Sequence, residues 1–102
     1  MQKTVLNDVF EFLKEIDAVD SESEFSKDWL GRSECYMRTL RFKQAPPSIG
    51  TLAICANKLA YYGNRLREQK KHNRISEQMI SLSLACQNQI GQLSSEQWMR
   101  DF

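Results

Sequence analysis

The spacing of its apolar residues is the feature that most constrains how this chain can fold. Apolar side chains recur at steps of three and four residues through most of the sequence, which is the repeat of one helix face. No stretch alternates apolar and polar residues in the manner of a strand, and neither Asn-Gly nor Asp-Gly marks a hairpin. The sequence therefore predicts an all-α fold with five helices in one domain-sized chain of 102 residues.

The first two helices have clear local signals. The first is predicted at roughly residues 3–17 from an apolar stripe made of Val5, Val9, Phe12, Leu13 and Ile16. The second is predicted to begin at Ser21, because Glu24 follows it at the spacing of a capping box. It would carry inward Phe25, Trp29 and Leu30. Gly31 would end it, since glycine commonly follows a helix C-terminus.

The third and fourth helices are separated by a pair of prolines. Ser33 is the predicted N-cap of the third helix, which turns Tyr36, Met37 and Leu40 to one face. Ala45-Pro46-Pro47 ends that helix, because proline lacks an N–H and disfavours helix in the preceding residue. Ser48 is the predicted N-cap of a fourth helix, whose apolar stripe is extended by Tyr62 and Leu66. Residues 65–74 are then a polar, basic stretch.

The fifth helix is predicted at about residues 75–98 and carries a heptad-like seam. The seam is formed by Ile75, Met79, Leu82, Cys86 and Leu93, with Gln89 in the missing place. Such a seam is typical of a helix that pairs with a second copy. It is equally typical of a helix that packs on its own domain, and the spacing alone does not separate the two.

Charge is distributed unevenly along the chain although the net charge is only +1. Residues 1–30 carry a net charge of −5, residues 31–74 a net charge of +8 and residues 75–102 a net charge of −2. A basic middle segment favours an anionic partner, most commonly nucleic acid. The alternative is a solvated charged face with no partner.

Motifs for catalysis or metal binding are not apparent in the sequence. Cys35, Cys55 and Cys86 form no CxxC pair, and His72 has no ligand residue at metal-site spacing. Neither a nucleophile elbow nor a phosphate loop is present. We therefore expect no enzyme activity, no metal and no cofactor. Without a secretory signal or an apolar membrane span, a cytoplasmic protein is the expectation.

The helix pattern around Gly31 also resembles a known family. Leu30-Gly31 closes the second helix, a polar turn with Ser33 follows, and Pro47-Ser48 precedes a helix whose family-like apolar spacing runs to Leu59. In this respect residues 23–59 resemble the lambda-repressor-like (XRE, Cro-type) helix-turn-helix family. The resemblance implies a helix-turn-helix DNA-binding domain at residues 1–66, followed by a C-terminal helix at residues 67–102 as a dimerisation element.

The resemblance also implies which residues meet double-stranded DNA. The third helix would be the recognition helix, with Arg38 as the main base-reading residue. The full set of base-reading candidates is Ser33, Glu34, Cys35, Arg38 and Thr39. The phosphate-contacting candidates are Arg32, Arg41, Lys43 and Gln44. Dimerisation through the seam of the fifth helix would place two recognition helices about 34 Å apart on a palindromic operator.

Two function classes follow. The first is a homodimeric transcription regulator, most simply a repressor of bacterial or phage type. The family also includes antitoxins and regulators on mobile elements. The second is a protein-interaction module or inhibitor that uses the same scaffold to bind a protein partner, with the acidic first two helices or the C-terminal helix as its surface. The charge around Arg38 distinguishes them, because a basic face suits DNA and an acidic rim suits a protein.

Overall fold

Five helices make up the fold. The structure, a computed structural model, describes residues 4–70 and 72–100, and over these residues it contains no strand. The helices are α1 (Val5–Glu15), α2 (Glu22–Asp28), α3 (Tyr36–Lys43), α4 (Ile49–Glu68) and α5 (Asn73–Met99). The predicted all-α fold with a long C-terminal helix is therefore confirmed.

Two of the predicted N-caps are confirmed by hydrogen bonds. Ser21 Oγ accepts a hydrogen bond from the backbone N–H of Glu24 at 3.2 Å. Ser48 Oγ accepts one from the backbone N–H of Thr51, also at 3.2 Å. Each bond satisfies one of the four N–H groups that the first turn of a helix leaves unpaired.

The predicted start of the third helix is wrong by two residues. α3 begins at Tyr36 with Cys35 as its N-cap, so Ser33 and Glu34 lie outside the helix. The carbonyl of Ser33 accepts a hydrogen bond from the Tyr36 N–H at 3.1 Å and closes a tight turn. As an N-cap, Ser33 would need the same carbonyl to accept the first hydrogen bond within the helix.

The connection between α2 and α3 is anchored by apolar side chains. α2 ends at Asp28, three residues before Gly31, but Trp29 and Leu30 are still buried, as is Phe25. Gly31 has a φ of 64°, a left-handed conformation that is costly for residues with a Cβ. The predicted inward residues and the helix-breaking glycine are thus confirmed, although the helix stops earlier than predicted.

One hydrophobic core joins all five helices. α5 contributes Met79 and Cys86 to it, so the C-terminal helix shares the core of the preceding four. The other core residues are Leu6, Val9, Phe12, Leu13, Val19, Phe25, Trp29, Leu30, Met37, Leu52, Cys55, Ala56 and Leu59. The boundary expected between residues 66 and 67 falls inside α4, which continues to Glu68.

α4 and α5 form an antiparallel pair held by two buried hydrogen bonds. Ser76 Oγ donates to the Gly63 carbonyl and Ser83 Oγ to the Ala56 carbonyl, each at 2.7 Å. From Ser76 to Ser83 along α5, the hydrogen-bond partner on α4 changes from Gly63 to the earlier residue Ala56. The helices therefore run in opposite directions. Each serine satisfies its hydroxyl inside an apolar interface, where an unpaired polar group would be costly.

The residues predicted as a dimer seam contact the chain's own core. Met79 and Cys86 are buried in it, and the other three, Ile75, Leu82 and Leu93, are half-buried against it. The heptad-like pattern therefore describes packing within the chain, which was the alternative that the spacing left open.

Two of the three free cysteines meet in this interface. Cys55 on α4 and Cys86 on α5 are both buried, whereas Cys35 is exposed. The hydrogen bond with Cys86 and burial raise the pKa of the Cys55 thiol far above its usual value. The same hydrogen bond lowers the pKa of Cys86 and outweighs the effect of burial. The thiols serve here as small buried groups between the helices.

Candidate nucleic-acid interface

α3 is fixed to the rest of the molecule along one face. Met37 is buried, and Leu40 is half-buried against the core. The hydroxyl oxygen of Tyr36 accepts a hydrogen bond from the backbone N–H of Ser48 at 3.2 Å, which ties the start of α3 to the start of α4. A short helix held at both its start and its middle keeps its outward side chains in a defined position.

The environment of Tyr36 changes its acidity as well as its position. Burial raises the pKa of Tyr36, but hydrogen bonds from Thr51 and Ser48 and the charge of Arg32 outweigh burial, so the pKa is lowered overall. The Arg32 guanidinium lies over the Tyr36 ring, 5.3 Å from its centroid. The Tyr36 oxygen thus acts as an acceptor in a polar network between the two helices.

The outward face of α3 carries the residues available to a partner. Cys35, Arg38 and Phe42 are spaced three and four residues apart and therefore share this face. An Arg38 guanidinium N–H donates to Cys35 Sγ at 3.0 Å. Thr39 is exposed beside them. The structure thus places three of the five base-reading candidates, Cys35, Arg38 and Thr39, on or beside one exposed surface.

Phe42 is the residue on this face that the sequence analysis missed. Its side chain is 90% exposed, which is unusual for an aromatic residue in a helix anchored to a core. The available signal was its position four residues after Arg38, opposite the apolar stripe of Tyr36, Met37 and Leu40. An exposed aromatic ring here offers an apolar contact, such as that with a thymine methyl group.

Two of the four phosphate candidates form hydrogen bonds with other residues of the chain. Arg41 forms a bidentate ion pair with Glu22, with N–O distances of 2.5 and 2.9 Å. The hydrogen bond to Glu22 raises the pKa of Arg41. Arg32 donates to Thr51 Oγ1 at 2.9 Å and to Ser48 Oγ at 3.1 Å. Both arginines hold α3 and its flanking turn against neighbouring elements.

The remaining predicted residues flank α3. Lys43, its last residue, and Gln44, its left-handed C-cap with a φ of 50°, are both exposed. Ser33 and Glu34 are exposed in the turn before the helix rather than in its first turn. All four border the outward face of α3.

Neither a metal site nor a membrane span lies in residues 4–70 and 72–100. No group of three or more His, Cys, Asp or Glu side chains within these ranges is arranged to hold a metal ion. No helix in the same ranges is long and apolar enough to cross a membrane. The outward face of α3 is therefore the candidate site that the sequence and the structure share.

Residues 6–99 match the model of a family of unknown function, DUF6626, and the chain belongs to this family. The match takes in α2, α3, α4 and α5 in full and all of α1 except Val5. No curated protein and no solved structure matches the chain.

Proposed function

We propose that this protein is a cytoplasmic, sequence-specific DNA-binding transcription regulator, most simply a repressor, that inserts α3 into the major groove. The observation that carries the proposal is the outward face of α3. A helix anchored by Tyr36 and Met37 presents Arg38 to solvent, next to a turn closed by a left-handed Gly31. A rigid helix with an exposed arginine suits recognition of base edges.

The side chains on and around α3 divide into two roles in this proposal. Arg38 reads a guanine through two of its guanidinium N–H groups, while Thr39 and Phe42 contact neighbouring bases. Lys43 and Gln44 at the end of the helix contact phosphate oxygens and set the position of the helix on the duplex. Arg41 joins them only when it exchanges Glu22 for a phosphate.

The proposal includes a homodimer, because one recognition helix reaches only a short half-site. Because Met79 and Cys86 of the predicted seam are buried within the chain, we infer a dimer contact on a different part of α5. We place it on the outward side of α5, where Leu84 is 55% and Met99 is 58% exposed. Exposed large apolar side chains on a long helix are typical of a contact surface.

Selection from a pool of random duplex DNA at two salt concentrations tests this function. We expect enrichment of a two-fold symmetric site, with affinity that falls steeply as salt rises. Arg38→Ala should weaken specific binding by about 1–3 kcal/mol and leave helicity by circular dichroism unchanged. Arg74→Ala, a change of the same kind at an exposed position of α5, is the matched control. Absence of any enriched site would contradict the proposal.

A second candidate function is favoured by the surface of α1. Asp8, Glu11 and Glu15 are exposed and lie on one face of that helix at steps of three and four residues. This acidic stripe suits a basic protein surface, as in an inhibitor of a nucleic-acid-binding enzyme. Neutralising the three carboxylates would abolish such binding and leave DNA selection by α3 unchanged, so the two functions are separable.

A further inference from the structure

A shallow groove lies on the side of α4 that faces away from α5. Its volume is about 330 Å³, and its lining residues are Ile54, Asn57, Lys58, Tyr61 and Tyr62. Its apolar side chains are largely open to solvent, with Ile54 51%, Tyr61 55% and Tyr62 42% exposed. Two tyrosines and an isoleucine are thus exposed side by side. Such a cluster is typical of a binding site.

The rings around this groove form one rigid cluster. Tyr61 and Tyr62 meet edge to face with centroids 5.2 Å apart, and Tyr62 packs on Trp29 at 5.5 Å. Trp29 is itself buried in the core. The exposed tyrosines are therefore held in place from below, and a partner would meet a preformed surface.

Positive charges border the same cluster. The Arg65 guanidinium lies 5.7 Å from the centroid of the Tyr61 ring, and the Lys58 ammonium lies 5.1 Å from that of Trp29. Lys58 also donates a hydrogen bond to the carbonyl of Asp28, which fixes its position. None of the five lining residues is acidic. The groove thus combines an apolar floor with two positioned cations.

We propose that this groove binds an acidic peptide segment of a partner protein. One apolar side chain of the segment packs on Ile54 and Tyr61, and its carboxylates pair with Lys58 and Arg65. The inference goes beyond DNA binding and does not rest on it, because the groove lies on α4 whereas the proposed DNA contact lies on α3. Tyrosine and arginine are the residue types that most often dominate such interfaces.

The ring contacts favour a peptide over single-stranded nucleic acid. A base binds by stacking on an open aromatic face. Here Arg65 lies over the Tyr61 ring, Lys58 lies over Trp29, and the two tyrosines contact each other. Stacking on this face of Tyr61 would therefore displace Arg65, whereas a carboxylate pairs with Arg65 and Lys58 where they are.

Two parts of a second copy, its α4 groove and its α1, are unsuited as occupants of this groove. Two α4 grooves facing each other would bring like charges together. The acidic stripe of α1 has the right charge, but the apolar residues Leu6, Val9, Phe12 and Leu13 of that helix are buried. Phe10, the large apolar side chain of α1 that is only half-buried, packs on Phe25 and has the Lys14 ammonium over its ring. A separate protein with an exposed acidic and apolar segment satisfies both requirements.

The test is selection of random dodecapeptides displayed on phage against the intact protein, followed by fluorescence polarisation of the most enriched peptide. We expect enriched peptides to combine Asp or Glu with Leu, Phe or Trp. Tyr61→Ala and Arg65→Gln should each weaken binding at least about tenfold. Arg67→Gln, an exposed arginine on another face of α4, is the matched control and should bind as the wild type does.

Arg38→Ala should also bind the peptide normally, which separates this result from the outcome of the DNA experiment. Several outcomes would overturn the proposal: no enriched peptide, enrichment without acidic residues, or equal losses in Arg65→Gln and Arg67→Gln. Tyr61-dependent binding of a fluorescent thymidine oligonucleotide would assign the groove to nucleic acid instead. A dimer in solution that Tyr61→Ala dissociates would assign it to a second copy.

Discussion

At the scale of single residues, Gly63 has the most constrained position among the glycines. It lies where α4 and α5 come closest. A Cβ at this position would be 2.9 Å from Ile80 Cγ1, 3.2 Å from Met79 Cβ and 3.3 Å from the carbonyl oxygen of Ser76. The Ser76 carbonyl belongs to the α5 backbone, and the Met79 Cβ is bonded directly to it. Neither atom can move away unless α5 itself moves.

We therefore expect Gly63→Ala to destabilise the protein, by about 1–3 kcal/mol, the usual cost of overpacking an interface. Gly50→Ala and Gly91→Ala are the controls, because a Cβ at either position meets nothing within 4 Å. Alanine should stabilise the helices at these two sites by about 0.5–1 kcal/mol. Denaturant unfolding measures all three variants, and a Gly63→Ala variant as stable as Gly50→Ala would contradict the close approach of the helices.

The ion pair between Glu22 and Arg41 gives a second prediction at this scale. Its side chains are 28% and 46% exposed, so the pair itself adds at most about 1 kcal/mol to stability. Under the proposed function, Glu22→Gln frees Arg41 for a phosphate. DNA affinity should rise, and the slope of log K against log salt should become steeper by about 1.8, which is about 0.9 for each of the two protomers on the operator.

Glu24→Gln is the control for that experiment. It removes one negative charge from the same turn of α2, but the structure pairs Glu22 rather than Glu24 with Arg41. Electrophoretic mobility shifts over a salt series would measure both variants on the selected operator. If the two variants changed the salt slope equally, the effect would be one of overall charge rather than of Arg41.

At the scale of helices, the sequence predicted the elements that local signals control. The hydroxyls of Ser21 and Ser48 cap α2 and α4, and Gly31 adopts the left-handed conformation that its place after a helix favours. Ser33 is the exception. Its side chain is a good cap, but the anchoring of Tyr36 on Ser48 sets where α3 begins, and that contact spans 12 positions of sequence.

The candidate site was predictable only in part for the same reason. Arg38 and Thr39 follow from helical spacing alone. The pairing of Arg41 with Glu22 joins residues 19 positions apart, and no pattern within α3 indicates it. The seam of α5 shows the same limit, because a heptad-like spacing defines an apolar face but not the helix that covers it.

Leu82 and Leu84 provide a matched test of the two faces of α5. Leu82 is half-buried against the core, so Leu82→Asp should lower the free energy of unfolding by about 1–3 kcal/mol. Leu84 is exposed, so Leu84→Asp should change stability by less than about 0.5 kcal/mol and shift a dimer toward monomer. Light scattering and denaturant unfolding give the two readouts. A Leu82→Asp variant that is fully stable but monomeric would return the dimer contact to the seam.

At the scale of the whole molecule, α4 belongs to both parts of the fold. Its residues Leu52 and Leu59 are in the core with α1 and α2, while its Ala56 and Gly63 carbonyls accept hydrogen bonds from α5. The helices before and after α4 are therefore not independent, and the chain should unfold in one cooperative step.

A fragment of residues 1–66 tests this dependence. It lacks α5, so the Met79 and Cys86 contacts and both serine hydrogen bonds to α4 are lost. We expect reduced helicity and no cooperative thermal transition, in contrast to the full chain. Addition of a peptide of residues 67–102 should restore part of the helicity. A fragment that melts cooperatively without the peptide would show that the helix-turn-helix region folds as a separate domain.

The two serine hydrogen bonds have a consequence for motion. Ser76 and Ser83 are seven residues apart, as are their partners Gly63 and Ala56, so both bonds form together only in one register. A slide of α5 by one turn, about 5.4 Å, would leave both hydroxyls and both carbonyls misaligned in an apolar setting. The two helices can tilt together, but α5 cannot slide along α4 without breaking both hydrogen bonds. A conformational change transmitted through α4 and α5 must therefore alter the orientation of the helices and not their position along each other's axis.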